Sequence, residues 1–182
     1  NECSFNPKGR KITMFLVHKT LISKALSLVP IFILFYLSLS ETDTYFKNFD
    51  FISFNLSYIL IFYWIVRSPH MLGYGFIFLA GVINDVVLGL PIGITSLTYL
   101  IMSSVAAYIR NVTVRKTLMS DWIVFIPAVL TTNCIYILAI VFFSDLIINY
   151  ENLLYNSLVT IAVYPIGWFV FELLNNFVGS ER

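Results

Sequence analysis

Gly81-Val82-Ile83-Asn84-Asp85-Val86-Val87-Leu88-Gly89-Leu90-Pro91-Ile92-Gly93 is the stretch that decides how this chain is read. It sets a carboxylate in an apolar run long enough to cross a bilayer, then brackets a proline with two glycines. An ionisable group at membrane depth costs about 2.5–3.5 kcal/mol on insertion scales, so it usually faces protein or water and marks a candidate site. Gly81, Asp85 and Gly89 recur every four residues and therefore share one helix face. Small residues on that face let another helix approach closely. Asp85, with Asn84 beside it, has two readings. It is a polar anchor for a partner helix or small pocket, or it is an internal cap on backbone N–H groups around Gly93 to Thr95. Gly89-Leu90-Pro91-Ile92-Gly93 reads as a tight turn, with proline fixing one φ and glycine permitting a positive one.

Outward from this stretch the chain stays apolar. Hydrophobic residues make up 59% and charged residues 12%, about half the charge of an ordinary soluble domain. Apolar blocks such as residues 51–66 and 123–143 are continuous, whereas a membrane β-barrel alternates apolar and polar residues in segments of about ten. The expected fold class is an all-α membrane protein with six transmembrane helices, near residues 21–39, 51–66, 72–88, 92–109, 122–143 and 154–177. Residues 21–182 then form a single membrane domain behind a basic N-terminal tail, residues 1–20. Met14 offers a second start, which would make residues 1–13 an extension. Pro30, Pro127 and Pro165 lie inside expected spans. Neighbours can satisfy the carbonyls they free, and kinks are expected there.

Charge distribution gives orientation. The tail carries Lys8, Arg10, Lys11 and Lys19; later loops carry Arg67 with His70, then Arg110, Arg115 and Lys116. The intervening loops hold Glu41, Asp43 and Asp50 against Lys47 alone, no charge at all, and Asp145 with Glu151. Basic loops alternate with acidic or neutral ones, so both termini are expected in the cytoplasm. Trp64 and Trp122 fall at cytoplasmic span ends, where aromatic belts lie. The many Phe and Tyr residues read as lipid-facing bulk.

Signals for chemistry are sparse. The two histidines, His18 and His70, are far apart and make no metal site or catalytic triad. Cys3 and Cys134 have neither disulfide nor metal spacing. Gly73 and Gly75 lack the Lys-Ser/Thr of a phosphate loop. One deep aspartate does not supply the paired aspartates of intramembrane proteolysis. No enzyme, cofactor, metal or nucleic-acid partner is expected; the expected surroundings are membrane lipid. Glu172 reads as a snorkelling carboxylate or a partner of Arg110 or Arg115, and Asn133, Asn175 and Asn176 as interhelical hydrogen bonders.

Residues 58–97 resemble the rod-shape-determining MreD family of bacteria. The resemblance rests on Tyr63-Trp64, Arg67-Ser68-Pro69, then Gly81, Asp85, Gly89, Pro91 and Gly93, and on a similar length and layout. Beyond Leu97 it is only one of general character. It implies a non-enzymatic inner-membrane scaffold of the elongation machinery, partnering MreC and through it MreB, RodA and a penicillin-binding transpeptidase. It also implies a six-helix fold like the substrate-binding components of vitamin transporters. Gly81, Asn84, Asp85, Gly89, Pro91, Gly93 and Glu172 are the structural or partner-interface candidates. A transporter component, the alternative function, needs an outward pocket with convergent polar groups, and the acidic outer loops offer little specific readout. Reporter fusions in the Arg115 loop are expected to report a cytoplasmic location; an external signal overturns the topology.

Overall fold

The computed structural model describes residues 28–40, 55–69, 71–112, 117–143 and 150–179. The basic tail, the start of the first two expected spans, His70, Arg115, and the acidic residues 41–50 and Asp145 lie outside the described residues. The described chain is helical throughout, with no strand: α1 (Val29–Ser40), α2 (Leu56–Arg67), α3 (Tyr74–Leu88), α4 (Ile94–Val112), α5 (Leu118–Phe143) and α6 (Tyr150–Gly179). Each falls on one of the six apolar blocks.

Helix α2 is the hub. It packs against α1, α4 and α6, and Phe62 meets Phe125 of α5 edge-to-face at 5.1 Å between ring centroids. All ten residues from Ser57 to Val66 are buried, as a helix apolar on every side must be if protein rather than lipid surrounds it. The remaining helices wrap around it, with α3 paired to both α1 and α4 and α5 paired to α4 and α6. Phe125 stacks on Tyr164 of α6 at 4.3 Å, so part of the aromatic content expected on the lipid side builds the core instead. Trp64, expected in an aromatic belt, is also wholly buried.

Two helices are long and apolar enough to cross a membrane: α5, and α6 over Tyr150–Asn176. Only 33% and 28% of their apolar windows are buried in the bundle, so they are not core helices of the ordinary kind. Their outward faces carry Ile123, Leu130, Phe142, Leu158, Ile166 and Phe169, all at least 56% exposed. A soluble monomer rarely exposes contiguous apolar surface on that scale. Helices α1, α2 and α3 are apolar but shorter.

Prolines are accommodated. Pro30 lies in the first turn of α1, where a missing N–H costs nothing, so within the described helix there is no interior to kink. Pro165 lies inside α6 and deprives the Ile161 carbonyl of its helical donor. The indole N–H of Trp122 on α5 donates to that carbonyl at 2.9 Å. The proline thus creates an interhelix hydrogen bond.

Two glycines allow close helix contact. A Cβ at Gly81 would lie 2.4 Å from the Ser96 Cα, backbone that cannot move aside. One at Gly167 would lie 2.8 Å from the Ile59 Cγ2, a side chain that can give. Gly75 meets nothing within 4 Å. Thermal midpoints in detergent are therefore expected to fall most for Gly81→Ala, less for Gly167→Ala, and to hold for Gly75→Ala. Overpacking of this kind costs about 1–3 kcal/mol. Equal behaviour of all three variants contradicts the α3–α4 packing.

Candidate functional site: a helix corner, an ion cluster and a polar pocket

The structure divides the sequence candidates between two places. Gly81, Asn84, Asp85, Gly89, Pro91 and Gly93 fall at the corner joining α3 to α4. Glu172 falls near the other end of the bundle.

At the corner, α3 stops because Gly89 adopts the left-handed conformation, φ 66°. Its N–H donates to the Val86 carbonyl at 3.4 Å and the Leu90 N–H to the Asp85 carbonyl at 2.9 Å. This crossed pair is the glycine-terminated helix ending that satisfies carbonyls otherwise left open. Gly93 also takes a positive φ, 111°, as the chain turns into α4. Fully buried Asp85 closes the corner: Oδ2 accepts from the Gly93 N–H at 2.7 Å and Oδ1 from the Thr95 N–H at 2.8 Å. Those N–H groups belong to the start of α4, where the helix dipole also favours a negative charge. Of the two readings open for Asp85, this geometry is the internal cap. The Gly81 face is likewise occupied by Ser96 of the same chain. Asn84 donates from Nδ2 to the Tyr99 hydroxyl at 2.9 Å within the interior.

Arg115 lies outside the described residues, and among these Glu172 pairs not with Arg110 but with Arg67. Its carboxylate lies 3.8 Å from Arg67 at the end of α2 and accepts from the Tyr63 hydroxyl at 2.7 Å. Arg67 also reaches Asp121 of α5 at 3.8 Å. The Trp168 indole N–H donates to Asp121 at 3.4 Å, and its ring lies 5.4 Å beneath the guanidinium, close enough for cation–π attraction. Three helices thus meet through one cation and two carboxylates. Arg67, Asp121 and Trp168 are not sequence candidates, because their distances along the chain hide the grouping. The weak signal was Asp121 at the mouth of an apolar block.

Beside the corner is a cavity of about 160 Å³, at the end opposite the ion cluster. The carboxamides of Asn55, Asn84, Asn133 and Asn156 line it. Hydroxyls come from Tyr58, Thr95, Tyr136, Ser157 and Thr160. Among the described residues no charged side chain lines it. Part of the lining is tied to protein. Asn133 Nδ2 donates to Ser157 at 2.6 Å, the Asn55 N–H to Thr160 Oγ1 at 2.9 Å, and Thr160 to the Asn156 carbonyl at 2.7 Å. Among these the sequence singled out only Asn84 and Asn133. The rest are ordinary polar residues scattered over four helices, and only the fold brings them together.

No family model, curated protein or solved structure matches this chain.

Asp85→Ala removes the acceptor of two buried N–H groups, each costing about 1–3 kcal/mol when unmet. It is expected to lower the melting midpoint more than Asp85→Asn, which retains one oxygen acceptor. In the cluster, Arg67→Met leaves two adjacent carboxylates without their cation. It is expected to destabilise by about 3–5 kcal/mol, with part of the loss recovered in Arg67→Met/Asp121→Asn. A double variant no better than the single one means that Arg67 does not neutralise these carboxylates.

Proposed function

We propose that the chain is a non-enzymatic, six-span scaffold of the bacterial inner membrane, similar to MreD. In this reading both termini are cytoplasmic, and the bundle is like the substrate-binding components of vitamin transporters without a transport role. It supports lateral peptidoglycan synthesis and cell shape through helix–helix contact with MreC, and through MreC with MreB, RodA and a penicillin-binding transpeptidase.

The observation that carries the reading is the corner. Gly81, Asp85, Gly89 and Gly93, the residues on which the resemblance rests, each have a distinct structural task there. Their spacing is what this one turn needs, so the motif is a fold signature. With the polar groups turned inward, the corner presents Val86, Leu88 and Ile92, 63%, 45% and 74% exposed. An apolar partner helix can lie against such a surface without leaving a buried charge unmet. The basic residues Arg67 and Arg110 at the opposite end support the orientation.

The pocket favours a second reading, the substrate-binding component of a small-molecule transporter, since it supplies the convergent polar groups such a protein needs. The two separate on what accompanies the protein out of the membrane. Purified from cells in mild detergent, it is expected to bring down a single-span periplasmic partner of the MreC type. Val86→Ser/Ile92→Ser is expected to lower that recovery several-fold at an unchanged melting midpoint. Recovery of an ATPase module in its place favours the transporter.

A further inference from the structure

The pocket beside the corner has hydrogen-bonding capacity that the protein does not use. Asn55 accepts through Oδ1 from the Tyr58 N–H, and among the described residues its amide donors have no protein partner. Asn156 likewise uses its carbonyl groups, accepting from Thr160 at both oxygens, while its Nδ2 donors have none. Asn133 spends Nδ2 on Ser157 and leaves its Oδ1 without a protein donor. Donors from the N-cap of α2 and from α6 and an acceptor from α5 therefore border one cavity. All three side chains are half-buried, so these groups stay open to a polar ligand that enters the cavity.

Charge and size narrow what that is. Among the described residues no charged side chain lines the cavity. The nearest carboxylate in the sequence, Asp85, has both oxygens on backbone N–H groups. A charged ligand would be desolvated there without a counter-ion. The volume, about 160 Å³, is close to that of an engineered cavity of about 150 Å³ that holds benzene, and so suits one six-membered ring. Carboxamide edges can both give and receive hydrogen bonds, as neighbouring hydroxyls on a ring do. Tyr58 and Tyr136 add aromatic surface to the wall, suited to the C–H face of such a ring.

We propose that this pocket binds a neutral, polyhydroxylated six-membered ring of the pyranose kind, either free or as a lipid headgroup. Asn55, Asn133 and Asn156 supply recognition, and the tyrosine rings supply contact. This does not rest on the scaffold reading, which is tested on other residues.

The full chain, held in a detergent without sugar groups, is titrated with glucose, glucosamine and glucuronate by calorimetry. It is titrated also in nanodiscs carrying monoglucosyl diacylglycerol. Glucose, or the glucosyl lipid, is expected to bind at least tenfold more tightly than either charged sugar. Asn133→Leu and Asn156→Leu are each expected to weaken that binding at least tenfold. Asn156→Ala serves where a leucine variant does not fold. Binding by free glucose supports a soluble ligand, and binding by the glucosyl lipid alone supports a headgroup. The proposal is overturned by tighter binding of a charged sugar, by binding that all three variants leave intact, or by no binding of any probe at 50 times the protein concentration and millimolar ligand.

Discussion

Burial of α2 on every side is the constraint on which the other features depend. A helix in contact with water can turn its polar groups outward. From Ser57 to Val66 this one cannot, so its polar groups turn to other helices or, like the Trp64 indole N–H among the described residues, stay without a hydrogen bond. At its start, Asn55 caps the helix through its own side chain, and its N–H is taken by Thr160 of α6. At its end, Tyr63 and Arg67 draw Glu172 from α6 and Asp121 from α5. Between the two ends the contacts are aromatic, Phe62 against Phe125 and Tyr164. The polar pocket and the ion cluster thus lie at the two ends of one buried helix; α6 is held to it at both ends and α5 at the ion cluster.

The α3–α4 corner is a separate fastening with its own logic. Asp85 serves through its backbone carbonyl, which takes the Leu90 N–H, and through both carboxylate oxygens. One residue therefore ends α3 and begins α4. Thr95 gives its N–H to Asp85 and also lines the pocket, so the shape of the pocket follows from the corner. This links the stretch that suggests a family to the cavity that suggests a ligand, although no ligand contact by Asp85 itself is implied.

The sequence made the helices legible because an apolar block between turn residues admits few other structures. It made the corner legible because its residues are local: Gly81, Asp85, Gly89 and Gly93 fall within one stretch, and their spacing states the contact. The environment of α2 was not legible. An all-apolar helix has the same pattern whether lipid or protein surrounds it, which is why Trp64 reads as a belt residue and is buried. The ion cluster was hidden for a different reason. Arg67, Asp121 and Glu172 come from three helices, and the local rule that pairs a carboxylate with a nearby loop arginine points to Arg110 or Arg115. The pocket was hidden for the same reason, since Asn55, Asn133 and Asn156 converge only after α2, α5 and α6 have packed.

The two ends of α2 differ in the kind of polarity they hold, and burial explains the difference. A cation is tolerable at Arg67 because the last carbonyls of the helix favour it and two carboxylates arrive from α5 and α6. The Arg67 side chain is still 18% exposed, and that of Glu172 26%. Charges that keep some access to water and oppose one another are worth little as net stabilisation, yet they are costly to break. They act as a register device that fixes how α2, α5 and α6 meet. At the pocket end Asp85 is fully buried and quenched by backbone N–H groups, and the described side chains that line the cavity offer neutral amide and hydroxyl. A site of that kind discriminates by the number and direction of hydrogen bonds, and it rejects charge because nothing in it can repay desolvation. The charged end is therefore committed to holding the fold, and the neutral end is the one with chemistry left to offer a ligand.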